Sequence, residues 1–567
     1  MTVNPLPHTS IDADDMTAEQ LALPTSERVK ASTRFGTITG GRTKNGCQVF
    51  LNVPYGLDVP RFSDPQALPD DYRYSEDPFV VDGKYCSQPR RPDQDAEPMP
   101  DRQRYGLGHP TDNPFFADIY IPSTTDLSLA SNFSLSSGSA LSPSHPKLPV
   151  RVFFHGGFLQ FGSTSGTGYN QQFFYPEQWN EVRVLLGYRV SALGFLASES
   201  PNLEGNYGFK DAWLGLEWVR DNIAAFGGDP DNVHISGLSG GGHLVHQMLH
   251  RAAQLAPAKA SGRGVGAPFA TCTLLSNAIL SDPCTPSSRA TQFSLLCKSL
   301  HLDPSAPDVL DTLRDPAQVG SGRLMEVIEG MGFENTFRGV VGPDGWIRPD
   351  QMGYQQSGGL GRDLERAGVR CVIMGDVKDE DAWYTGYHTC ANRNEILPNL
   401  KRYYLPHVAQ AVFDAYPRLA EDATSEEATV QLGRIISDAQ VHLPVRLLAR
   451  DLVSGGMPVV RYSIEKVTKA SRSDVAHGTD MVFHHFRLSM MNPAETLAAI
   501  DFHTARETEV ANALGAGSSR FEQHGEDEML LLYEDGGTGW GRDWRWDRLR
   551  KLERAVRGGE GGAVREE

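Results

Sequence analysis

Ser239 lies in Gly237-Leu238-Ser239-Gly240-Gly241, directly after the short apolar run Val233–Ser236 and directly before a helix-forming segment. Glycines flanking a serine permit a sharp strand-to-helix turn. Such a turn lifts the hydroxyl clear of a sheet and leaves backbone N–H groups able to receive an oxyanion. The chemistry this arrangement suits is acyl transfer. A serine nucleophile attacks a carbonyl, a base takes its proton, and an acid orients the base.

The other parts can be sought along the chain. His155-Gly156-Gly157-Phe158 follows the apolar run Pro149–Phe154, and glycines there let the backbone come close to a substrate. Gly156, Gly157, Phe158 and Gly240 are therefore the candidates for an oxyanion hole. Carboxylates cluster in Gly375-Asp376-Val377-Lys378-Asp379-Glu380-Asp381, after the run Cys371–Met374. Residue type and position leave Asp376, Asp379, Glu380 and Asp381 in competition there. Among seventeen histidines, His477 is distinguished by Gly478 beside it and by its place after the serine and the acids. His484 and His485 are alternatives. His243, His246 and His250 fall on the helix after Ser239 and read as packing or surface residues.

These groups need strands and helices to position them. Pro149–Phe154, Val182–Leu186, Val233–Ser236, Cys371–Met374 and Pro458–Ser463 read as strands. Asp211–Phe226 reads as a helix, with Ala212, Leu216, Val219, Ile223 and Phe226 on one apolar face. Gly227-Gly228 should end it and Asp229-Pro230 should block its continuation. Strands alternating with helices predict an α/β fold whose mostly parallel sheet is covered on both faces.

Bulk properties narrow the partners. The chain has 567 residues and a formal net charge of -18, which opposes nucleic acid or an anionic membrane as the main partner. The N-terminus lacks the pattern of a secretory signal, and the most apolar stretch, Val182–Ala197, is interrupted by arginines. Seven scattered cysteines do not form a compact disulfide framework. A reducing, cytoplasmic setting is the expectation. No cysteine–histidine set has zinc-ligand spacing, so neither metal nor cofactor is expected. Residues 1–30 read as an irregular arm, 31–557 as one catalytic domain with a Ser/Pro-rich surface loop at 127–147, and 558–567 as a disordered tail.

The run from Gly205 to Val233, with Gly208, Asp211, Trp218 and Gly227-Gly228-Asp229-Pro230 in it, resembles the type-B carboxylesterase/lipase (cholinesterase-like) family. Val49–Gly56 with Arg61-Phe62, Tyr188-Arg189, Leu193–Leu196 and Pro343-Asp344-Gly345 agree and follow the family's order. The resemblance spans roughly residues 35–490. It implies an α/β-hydrolase fold with a central, mostly parallel twisted sheet, helices on both faces and large loop insertions. It implies a serine carboxylic-ester hydrolase working through an acyl-enzyme, with Ser239 as nucleophile, Glu380 as acid and His477 as base. The same triad would also serve transfer to an alcohol or lactone formation. Non-catalytic relatives typically lack the serine that this chain keeps.

The chain departs from the family pattern at four places. Phe158 replaces the third glycine of the loop, and its benzyl group can narrow the acyl pocket. Leu238 replaces the usual Glu before the nucleophile, which points to an uncharged, apolar ester as the small-molecule substrate. Gly240 replaces a common alanine. Pro114 stands where the family often has the cysteine that pairs with the Cys86 position, while Cys272 and Cys284 are close enough in sequence to close a small loop.

Overall fold

The computed structural model describes residues 27–80, 84–90, 109–130, 147–164, 172–260, 266–469, 474–516 and 523–558. Twelve strands form one sheet. They are β1 (Val29–Thr33), β2 (Gly36–Arg42), β3 (Gln48–Pro54), β4 (Phe116–Ile121), β5 (Leu148–Phe154), β6 (Val182–Leu186), β7 (Gly228–Leu238), β8 (Thr271–Leu275), β9 (Cys371–Val377), β10 (Val459–Ile464), β11 (Glu528–Leu532) and β12 (Thr538–Arg542). Their spatial order is β1-β2-β3-β4-β6-β5-β7-β8-β9-β10-β11-β12. Pairing is parallel from β6 through β11 and antiparallel at both ends. The five strands predicted from sequence are all present, β7 and β9 running longer than expected.

Central strands of this kind must be apolar on both faces, and β8, β9 and β10 are buried along their whole length. Alternate residues feed two separate cores. Val152, Phe154, Val372 and Met374 join one cluster with residues of helices α1 (Tyr207–Asn222) and α2 (Gly240–Ala260). Phe153, Cys371 and Ile373 join another with Ala498, Ala499 and Phe502 of the helix Pro493–Ala516. The layers are thus helix, sheet, helix, as the resemblance implies.

Helix α1 and its 3-10 extension Ile223–Phe226 cover the predicted helical span. The predicted face is the buried one: Ala212, Leu216, Val219, Ile223 and Phe226 have no exposed surface. Gly227 ends the segment in the left-handed region at φ 79°, where a side chain would be strained. Asp211 of this helix and Arg189 form a fully buried ion pair with N···O 2.6 Å.

Two sequence expectations change at their edges, and the expected tail lies almost wholly outside the described residues. β1 starts at Val29, inside the stretch expected to be an arm, and residues 1–26 lie outside the described residues. Leu127–Ala130, expected as loop, is a short helix, and 131–146 are outside the described residues. The helix Trp546–Arg557 closes the described chain at Gly558, leaving 559–567 outside. All seven cysteines are free thiols, so Cys272 and Cys284 are not joined. No helix among the described residues is long and apolar enough to cross a membrane.

Truncating Leu216 to alanine should lower stability by about 2–5 kcal/mol, the usual range for a fully buried leucine. Thermal and denaturant midpoints of Leu216→Ala against the parent check this; an unchanged midpoint would contradict the packing described.

Candidate active site

The sheet order reverses at β5. The chain leaves β5 toward β6 on one side, whereas β7 lies on the other side and leads through α2 to β8. Ligands in such sheets bind beyond the carboxyl ends of the strands at this reversal. The two glycine-bearing turns meet here. Gly237 pairs in register with Phe154, which brings Ser239 beside the loop that begins at His155. A Cβ added to Gly156 would lie 3.2 Å from Ser239 Cβ, and one added to Gly240 would lie 2.9 Å from the Phe158 nitrogen. Neither position tolerates a side chain without backbone movement.

Ser239 has φ 56°, a left-handed conformation that costs a non-glycine residue of order 1–3 kcal/mol. Its own N–H holds the turn by donating to Leu275 O at the end of β8, at 2.8 Å. Phe158 and Leu159 are also left-handed, at 55° and 67°. This conformation brings the Phe158 nitrogen toward Gly240 while the phenyl ring turns away. That ring stacks on Trp383 and Tyr387, at centroid distances of 5.6 and 5.1 Å. Of the four oxyanion candidates, Gly156 approaches Ser239 and Gly240 approaches the Phe158 nitrogen, whereas the Gly157 position packs against Phe161. His155 is stacked on Tyr188 at 4.3 Å. Burial holds its imidazole down at about 4 despite the Gly156 carbonyl on Nδ1, so it stays neutral beside the loop.

The competing carboxylates after β9 separate cleanly. Asp376 is buried among Arg446, Arg545 and His442, and the two guanidinium groups with the His442 hydrogen bond hold its carboxyl well below the usual range in spite of burial. Asp379 accepts from Val475 N while its own N–H donates to Val475 O, which ties the β9 turn to the segment carrying His477. Asp381 is half-buried. Glu380 opens α3 (Glu380–Tyr387) with no exposed surface. One of its oxygens accepts from Val377 N at 3.1 Å and the other meets His477 Nδ1 at 2.6 Å. Arg545 braces the same turn from behind by donating to the carbonyls of Val377 and Lys378.

An ionised carboxylate only accepts, so Nδ1 carries the proton and the lone pair of neutral His477 sits on Nε2. That Nε2 is buried and has no hydrogen-bond partner among the described residues. Trp383 and Tyr384 flank the imidazole at 5.0 Å each. The Ser239 hydroxyl neighbours the Tyr384 phenol without meeting hydrogen-bond geometry. Leu238 lies against Gly478 on the other side, 3.5 Å from where a Cβ would be. The structure therefore brings Glu380 and His477 into direct contact and sets Ser239 in the same aromatic-walled corner, with no Ser239–His477 hydrogen bond formed. The alternatives are engaged elsewhere: His485 Nδ1 meets Gln172, and His484 Nδ1 accepts from Arg506.

Two groups escaped the sequence reading. Trp383 and Tyr387, four residues apart on α3, present one aromatic face toward Phe158, a spacing visible in the chain. Asp480, three residues after His477, is fully buried, and neither carboxyl oxygen has a hydrogen-bond partner among the described residues. Burial first, then the Glu380 charge, push its pKa up to about 7, with His477 opposing.

Comparison with known proteins follows the same line. A model described as the carboxylesterase family matches residues 26–258. An uncharacterized esterase/lipase of Schizosaccharomyces pombe is 26% identical over 72% of this chain and 77% of its own. A carboxylic ester hydrolase of Gibberella moniliformis is 28% identical, with 74% of each chain covered. Among solved structures, a PNB esterase superposes over 92% of this chain and 99% of its own, with a TM-score of 0.66 and 21% identity.

Asp480 gives the site a measurable pH signature. An acid whose folded pKa lies above its unfolded value of about 4 binds more protons folded than unfolded between those values. Its contribution to stability is therefore present below about pH 4 and is lost as pH rises to about 7. Asp480→Asn removes that loss, so its melting temperature relative to the parent should rise between about pH 5 and about pH 8. An equal difference at both pH values would contradict this buried acid, whose carboxyl has no hydrogen-bond partner among the described residues and has His484 Nε2 at 3.6 Å.

Proposed function

We propose that this chain, similar to the carboxylesterase family over residues 26–258 and to a carboxylic ester hydrolase over 74% of its length, is a carboxylic-ester hydrolase of small-molecule esters that works through an acyl-enzyme on Ser239, with Glu380 and His477 completing a triad. The observation that carries this reading is the 2.6 Å contact of His477 Nδ1 with Glu380, which leaves Nε2 without a hydrogen-bond partner among the described residues. In this reading His477 Nε2 takes the Ser239 proton as Oγ attacks the ester carbonyl. Glu380 fixes the tautomer and stabilises the imidazolium that forms. The N–H groups of Gly157, Phe158 and Gly240 receive the oxyanion, each such donor being worth roughly 3 kcal/mol. His477 then returns the proton to the leaving alcohol, and water attacks the acyl-enzyme by the same route in reverse.

The groups next to the reacting carbonyl are, in this reading, uncharged and apolar. Leu238 puts no carboxylate beside the nucleophile, and the Phe158, Trp383 and Tyr387 rings wall the approach. With p-nitrophenyl acetate and butyrate, Ser239→Ala should lose essentially all turnover while keeping the parent's melting temperature. Parent-like turnover in a folded Ser239→Ala would overturn the assignment.

A further inference from the structure

One cleft beside the site is furnished for a different chemistry. It lies against the first turn of α2, where His243 N–H donates to Ser239 O at 3.0 Å, and against the segment 277–284 that leaves β8. The Tyr403-Tyr404 pair closes its other wall, and Tyr403 reaches the Phe158 ring at 6.0 Å. The cleft thus adjoins the aromatic corner that holds Ser239.

Its lining is rich in donors that have nothing to donate to. Tyr404 Oη, Gln440 Nε2 and Arg289 Nε are buried atoms with no hydrogen-bond partner among the described residues. Tyr404 and Gln440 are each only 7% exposed, and Gln440 sits on a π-helical turn, Asp438–His442, an irregularity common at functional positions. Arg338 donates through Nη2 to His243 Nδ1 at 3.2 Å, and it lies over the Tyr403 ring at 5.4 Å. Arg289 donates to Cys284 Sγ. Neither guanidinium has a carboxylate within 4 Å among the described residues, whereas Arg189 and Arg446 elsewhere in the core each have one at 2.6 Å. The acidic residue of the lining, Asp282, is held by Met352 N–H through Oδ1. Two cations therefore face one carboxylate that is committed to the backbone.

Withdrawing guanidinium groups from water without a counter-ion is costly, and orphaned buried donors add to that cost. An oxyanion with several lone pairs removes both. We propose that this cleft binds a carboxylate- or phosphate-like oxyanion, held by Arg338 and Arg289 with Tyr404 and Gln440 as neutral donors. That anion is either carried on the ester substrate, as in a half-ester of a dicarboxylic acid, or free in solution. Apolar groups at the reacting carbonyl are compatible with an anion at the far end of the same substrate. The substrate-borne form rests on Ser239 being the nucleophile; the free form does not.

The test has two arms, each run on the parent, Arg338→Gln and Tyr404→Phe, the last keeping the ring so that folding is preserved. In the first arm, kcat/KM is measured for mono-p-nitrophenyl glutarate and for its neutral methyl ester. A substrate-borne anion predicts a preference for the charged ester that falls on the order of tenfold or more in Arg338→Gln and by a smaller factor in Tyr404→Phe, the scale of a lost charged hydrogen bond. In the second arm, inorganic phosphate is titrated while the melting temperature is followed, including in Ser239→Ala. A free anion predicts a saturable rise in the parent and in Ser239→Ala that both cleft variants weaken, with the ester preference unaffected. No change of ester preference together with no phosphate-dependent rise overturns the proposal. Because the phosphate arm needs no turnover, failure of the nucleophile assignment and failure of the oxyanion site are told apart.

Discussion

Everything at the candidate site depends on a carboxylate that has lost its water. Glu380 has no exposed surface, and its charge is met by two hydrogen bonds, from Val377 N–H and from His477. An uncompensated buried carboxylate costs several kcal/mol, so the fold is committed to keeping His477 in contact with it. That one requirement fixes the imidazole's tautomer, its ring orientation and the direction of its free nitrogen. The turn carrying Glu380 is held in turn by Arg545 from behind and by the reciprocal Asp379–Val475 pairing in front. Behind β9 and β10, Asp376, Arg446, Arg461 and Asp543 form a buried ionic layer that anchors these braces.

The same economy of support appears around Ser239. Its left-handed backbone stores strain, and the strain persists because β5 and β8 hold the turn from both sides. Phe158 shares that conformation at a place where the family usually has glycine. The cost is offset by its ring, which bridges the loop to α3 through Trp383 and Tyr387. The substitution thus couples the loop to the helix that begins with Glu380, and it builds a more aromatic corner than glycine would leave.

How much of this could be seen in the chain depended on whether the cause was local. The glycines around Ser239 and the apolar face Ala212–Phe226 are local signals, and strand, turn and helix formed where they predict. Selecting among Asp376, Asp379, Glu380 and Asp381 is not local. It depends on the Arg446 and His442 groups more than sixty residues away that absorb Asp376, and on the loop after β10 that engages Asp379 and Glu380. The resemblance to a family supplied that choice; residue types did not. Asp480 and Arg338 were illegible for a related reason. An acid or an arginine reads as solvated until the fold shows what surrounds it.

Covalent capture tests the coupling of these groups most directly. A fluorophosphonate probe followed by peptide mapping should label Ser239 in the parent, and labelling should slow by orders of magnitude in His477→Ala and less severely in Glu380→Gln. Labelling at another residue, or at Ser239 with an unchanged rate in both variants, would contradict the account.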